Sequence, residues 1–167
     1  MAEPVITTAI HNDAINPVGG GKKVRNNEDR LRHSNFFITI NTNKPVQDEE
    51  DPVFIALDTK TYEAIMGVFA PDKILGYLTN TRKGMAPDDF SNVEIEISGA
   101  REIGEYQRRL HYHVLVATKH HCLLRFNTDK ARVDLKQALG FPVYVNVKGF
   151  SSASANIYDY IYKKIKF

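Results

Sequence analysis

Phe36, Ile38 and Ile40 alternate with Phe37, Thr39 and Asn41 in the stretch "SNFFITINTN". A period of two predicts a strand with one strongly apolar face. An acidic, proline-bearing loop, "NKPVQDEEDP", is expected to follow. The period then changes: Tyr62, Ile65, Met66 and Phe69 have helical spacing, with Pro71 ending that helix and "PDKILGYL" supplying a short continuation. The stretch "TNTRKGMAPDDFSN" reads as a loop. In "VEIEI", Val93, Ile95 and Ile97 point one way and Glu94 and Glu96 the other, which predicts a half-buried strand.

The bend "SGAREIGEYQRR" leads into a second strand, "LHYHVLVAT". The connection is too short for a parallel crossover with its own helix, so the two strands read as a hairpin. Thr128 is expected to cap "DKARVDLKQALG", a helix closing on Gly140. "FPVYVNVKG" is a further strand, with Val143, Val145 and Val147 on one face, and Ser151 or Ser152 opens a last helix, "ASANIYDYIYKKI". The order strand, helix, strand–strand, helix, strand, helix predicts an α+β fold. Its sheet is mainly antiparallel with helices packed on it, and a ferredoxin-like arrangement is the first choice.

Alternation along the second hairpin strand sets Leu110, Tyr112, Val114 and Val116 on a core face. His111, His113 and Leu115 share the opposite face, expected to be the more accessible one. Two imidazoles at i and i+2 of a strand lie close enough to share one cation, and neutral imidazole is a common ligand of divalent metals. An anionic third ligand is expected from a neighbouring strand or the bend; Glu102 is preferred over Glu96, Glu94 and Glu105. A second histidine pair, in "KHHC" at 119–122, reads as incidental, because adjacent strand residues face opposite ways.

The last helix carries three tyrosines. Tyr158 and Tyr162 share a face, and Tyr160 lies on the other with Lys163 beside it, three residues on. Free phenol, with a pKa near 10, is a weak nucleophile, so chemistry at a tyrosine needs a neighbouring metal or cation.

Composition sharpens this reading only in places. With 167 residues and 43% hydrophobic content, one domain is expected. Residues 1–33, with few large apolar side chains and a "GGGKK" stretch, read as a flexible leader before a domain at 34–167. The leader lacks the basic start and apolar core of a secretory signal. No apolar run approaches the roughly 18–20 residues that span a bilayer, so no membrane partner is expected. The single cysteine, Cys122, points to an intracellular setting. A net charge of +2 makes any nucleic-acid footprint local rather than global.

Three segments in order, "FFITINTN", "LHYHVLV" and "NVKGFSSASANIYDYIYKK", resemble the HUH endonuclease superfamily. Within it, the likeness is to the nicking domain of replication-initiator (Rep) proteins of circular single-stranded DNA viruses. The resemblance covers roughly residues 34–164. It implies metal ligation by His111, His113 and Glu102, a nucleophile at Tyr160 and a motif lysine at Lys163. The Tyr158–Tyr162 pair fits the spacing of two-tyrosine relatives and is the alternative nucleophile. The bend at 98–109 leaves the register of the acidic ligand open.

The implied activity is metal-dependent nicking and strand transfer on single-stranded or origin stem-loop DNA, through a 5′-phosphotyrosine. The cofactor is Mn²⁺ or Mg²⁺, with imidazole-rich coordination favouring Mn²⁺. Expected DNA contacts are Arg82, Lys83, Arg101, Arg108, Arg109, Lys119 and Lys148, with Asn41 and Tyr144 toward the bases. Viral relatives usually continue into a helicase domain, which this sequence does not contain, and a viral protein of this kind would act in the host nucleus. The alternatives are a non-catalytic ferredoxin-like single-stranded nucleic-acid-binding module and a single-tyrosine transposase.

Overall fold

A computed structural model of the chain describes residues 5–11, 31–80, 93–104 and 108–150. The main sheet has five strands, β1 (Val5–His11), β2 (Arg32–Pro45), β4 (Glu94–Ile103), β5 (Arg109–His120) and β7 (Tyr144–Phe150). Their spatial order is β1-β4-β5-β2-β7, and every neighbouring pair is antiparallel. The four strands β4-β5-β2-β7 with α1 (Pro52–Val68) and α2 (Thr128–Leu139) form the expected ferredoxin-like α+β arrangement. Two three-residue strands, β3 (Leu78–Asn80) and β6 (Leu124–Phe126), pair separately.

The apolar alternation decides which side the helices cover. Ile38 and Ile40 of β2, Ile95 and Ile97 of β4, Tyr112, Val114 and Val116 of β5, and Val145 of β7 all belong to the buried core. Ile65 of α1 and Phe69, its C-cap, join them with Tyr62 and Met66 packed alongside; from α2 come Ala131 and Leu135. Phe36, Phe69, Tyr77 and Phe126 form an aromatic cluster at one end, with ring centroids 5.5–6.0 Å apart. Burying an aromatic of this size stabilises by roughly 1.5–3 kcal/mol over leaving it exposed.

Several boundaries differ from the sequence expectation. Val5–His11, assigned to a flexible leader, form the edge strand β1 on β4. The first helix starts six residues before the predicted segment at Asp58, because Asp51 caps it by accepting from the Val53 N–H and Pro52 occupies its first turn. Asn127 rather than Thr128 caps α2, accepting from the Lys130 N–H, and Gly140 ends it at φ 82°, a left-handed conformation suited to glycine. The predicted bend at 98–109 is mostly strand: β4 continues to Ile103. Ile74–Tyr77 is a single 3₁₀ turn leading into β3. The expected last helix, with Tyr158, Tyr160, Tyr162 and Lys163, lies outside the described residues, as do Arg82, Lys83 and Glu105.

Candidate active site

Antiparallel register collects the polar positions on the sheet face away from α1 and α2. Asn41 pairs with His111 and Tyr144, Thr39 with His113 and Asn146, and Phe37 with Leu115 and Lys148. On the other side of β5, Glu102 pairs with His111 and Ala100 with His113. Residues directly opposite one another share a face. Glu102, His111, His113, Asn41, Tyr144, Lys148, Arg109 and Lys119 therefore stand on one surface.

Glu102 is the hub of this surface. Its Cα faces that of His111, yet its Oε1 reaches the diagonal neighbour, 2.9 Å from His113 Nε2. Ala100, opposite His113, is small enough to leave the carboxylate that path. An ionised carboxylate only accepts, so Nε2 of His113 donates, and in the neutral ring Nδ1 then accepts from the Thr39 hydroxyl at 3.2 Å. Phe37 stacks on the His113 ring, with centroids 5.0 Å apart and planes 12° off parallel. Thr39 and Phe37 thus orient the imidazole. Sequence reasoning placed both on the right face of their strand but assigned neither to the site.

His111 is half-buried, and its Nδ1 is buried without a hydrogen-bond partner of good geometry. Gly104 lets its ring approach the turn, since a Cβ there would stand 3.1 Å from His111 Cε1. Burial pushes the His111 pKa below its usual 6.5, opposed by the Arg109 carbonyl and Glu102 and aided by the Arg109 charge and by His113 whenever that ring is protonated. A lowered pKa keeps the ring neutral, the form that ligates metals.

The face is less open than its polarity predicts. His113 is only 6% exposed, and Phe37, Ala100 and Leu115 beside it are buried too. The accessible part lies toward β7, where Tyr144 is 66% exposed.

The candidate residues divide by geometry. Glu94 and Glu96, the other described candidates for the acidic ligand, pair with Lys119 and Ala117 farther along β5, leaving Glu102 beside the histidines. Arg101 stands on the opposite, helix-covered face, paired with Tyr112 and bridged to Asp58 at 2.9 Å. It is thus removed from the expected DNA-facing set, because one residue of strand register separates it from Glu102. Arg108 binds the Val46 carbonyl and Glu49, and Arg109 donates to Asn43 Oδ1 at 2.9 Å. The Asn41 side-chain oxygen accepts from the Asn43 N–H in the adjoining turn.

Two imidazole nitrogens and one carboxylate oxygen form a mixed donor set that suits Mn²⁺ better than Mg²⁺. Holding such an ion requires two local changes: loss of the proton that His113 shares with Glu102, and closure of the His111 ring toward that pair. Among the described residues, the one group of three whose donor atoms all lie within 4.8 Å of one another is instead His120, His121 and Cys122. That group was expected to be incidental. No family model, curated protein or solved structure matches the chain.

Proposed function

We propose that the chain is a metal-dependent endonuclease and strand transferase acting on single-stranded DNA, with Glu102, His111 and His113 as its metal ligands. The observation that carries this reading is one carboxylate lying opposite His111 and bonded to His113, on the sheet face free of α1 and α2. When bound, a divalent cation supplies positive charge to a phosphate oxygen and lowers the cost of attack at phosphorus. Thr39 and Phe37 hold His113 in place, and burial keeps His111 neutral.

Tyr160 is the nucleophile in this reading. Its Oη forms a new bond to phosphorus as the bond to the 3′ oxygen breaks; the phenol proton passes to solvent, and the 3′ oxygen takes one from water. The product is a 5′-phosphotyrosyl link with a free 3′-hydroxyl, so an incoming 3′-hydroxyl reverses the exchange without ATP. Lys163 neutralises the phosphate. Lys148 and Arg109 flank the strand path across the same face, with Tyr144 as a stacking platform.

Exposed Tyr144 and Phe150 on β7 also favour a second reading, a non-catalytic single-stranded nucleic-acid-binding module. Incubation of the full chain with origin-like single-stranded oligonucleotides and Mn²⁺ separates the two. Nicking is expected, with loss in EDTA and in both Glu102→Gln and His113→Asn. Tight binding without cleavage on any oligonucleotide supports the module, and nicking untouched by Glu102→Gln removes the proposed ligand set.

A further inference from the structure

β5 ends at His120, and the chain bends through His121 and Cys122 before β6. In a continuing strand His120 and His121 would point to opposite faces. The bend cancels that alternation. The two rings stand 4.1 Å apart, and one donor atom from each of His120, His121 and Cys122 lies within 4.8 Å of the others. Ligands on a tetrahedral zinc, with bonds of about 2.0–2.3 Å, sit about 3.3–3.8 Å from one another. Closure by about 1–1.5 Å at most therefore completes the set.

The hydrogen bonding suits ligation. His120 Nδ1 accepts from the Cys122 backbone N–H at 3.2 Å, so Nδ1 carries no proton and its lone pair already points into the bend. A cation at Nδ1 replaces that long hydrogen bond with no change of tautomer. His120 is fully buried and supplies a fixed anchor, whereas His121 and Cys122 are half-buried and reachable from solvent. Two imidazoles and a sulfur select borderline-to-soft ions such as Zn²⁺ or Cu(I) over Mg²⁺. Seven residues of strand separate His120 from His113, about 23 Å, so the two sites cannot share an ion.

We infer that His120, His121 and Cys122 form a second, independent site for a zinc-class cation, with the fourth position taken by water or a small ligand. Binding there fixes the turn between the main sheet and the β3–β6 pair, a junction otherwise held by Ser34, whose Oγ accepts from the Leu124 N–H.

Metal-stripped full-length chain titrated with Co²⁺, then Zn²⁺, tests the inference. One equivalent of Co²⁺ is expected to produce a thiolate-to-cobalt charge-transfer band that Zn²⁺ removes. Cys122→Ser abolishes the band, and His121→Asn weakens Zn²⁺ binding at least tenfold; both positions are half-buried, so neither variant opens a core cavity. Glu102→Gln and His111→Asn retain the band. A wild-type chain without a saturable band, or a band surviving in Cys122→Ser, overturns the inference. Neither result bears on DNA nicking at Glu102.

Discussion

Glu102 stands opposite His111 and bonds His113 because a carboxylate opposite one strand residue can lean toward its diagonal neighbour. Replacing it by glutamine keeps the shape and removes the charge. Mn²⁺ affinity of Glu102→Gln is therefore expected to fall at least tenfold in calorimetric titration, with its far-ultraviolet circular dichroism unchanged. His111 makes a separate prediction through its lowered pKa. The unfolded chain takes up a proton near pH 6.5 while the folded ring resists until lower pH, so the unfolded state binds more protons in that interval. Stability gained above pH 6.5 is thus lost as the pH falls through the folded pKa. Urea midpoints measured from about pH 8 down to about pH 5 should decline below pH 6.5, and His111→Asn should flatten that decline; an equal slope in both proteins contradicts it. The facing of the two histidines was legible from alternation alone. The diagonal reach of Glu102 and the hydrogen bond from Thr39 were not, since they depend on register between strands, which no single strand's pattern contains.

At the scale of elements, α1 is tied to the sheet beneath the histidines. Tyr112, between His111 and His113 but on the opposite face, donates to Asp58 of α1, and Asp58 also bridges Arg101. Hydrogen bonds to a charged group contribute about 1.5–3 kcal/mol, so Tyr112→Phe should lose about that much in denaturant unfolding. Asp51→Ala removes the N-cap of the same helix and should cost about 1 kcal/mol, measured the same way. The central strands and both described helices were readable because their apolar periods are long and regular. The missed features have local causes. Asp51 and Pro52 sit in an acidic stretch that reads as loop, although together they are a helix start. Gly99 and Ala100 interrupt the Val/Ile alternation of β4 and made its second half resemble a bend. A register shift between Ile6 and Thr8 breaks the alternation of β1, and β3 and β6 are too short to show a period.

Across the whole molecule, one sheet face is closed by α1 and α2 while the other carries titratable and aromatic side chains. That division follows from alternation repeated in register over β4, β5, β2 and β7. Less legible was the burial of Phe37, Ala100 and Leu115 within the polar face, because a strand's own pattern marks its apolar side and not the cover on the other. A net charge of +2 leaves the proposed DNA binding to local contacts, and base stacking on an exposed aromatic contributes about 1–3 kcal/mol. Tyr144→Ala should accordingly weaken single-stranded DNA binding by roughly 5- to 150-fold in fluorescence anisotropy at fixed salt. The central claim is a phosphotyrosine exchange governed by the Glu102–His111–His113 face. Its most direct test is mass spectrometry of peptides from the full chain after reaction with a single-stranded oligonucleotide and Mn²⁺. The account predicts a nucleotide-bearing peptide modified at Tyr160 in the wild type and none in Glu102→Gln; an equal yield of adduct in both proteins, or no adduct on any tyrosine, would contradict it.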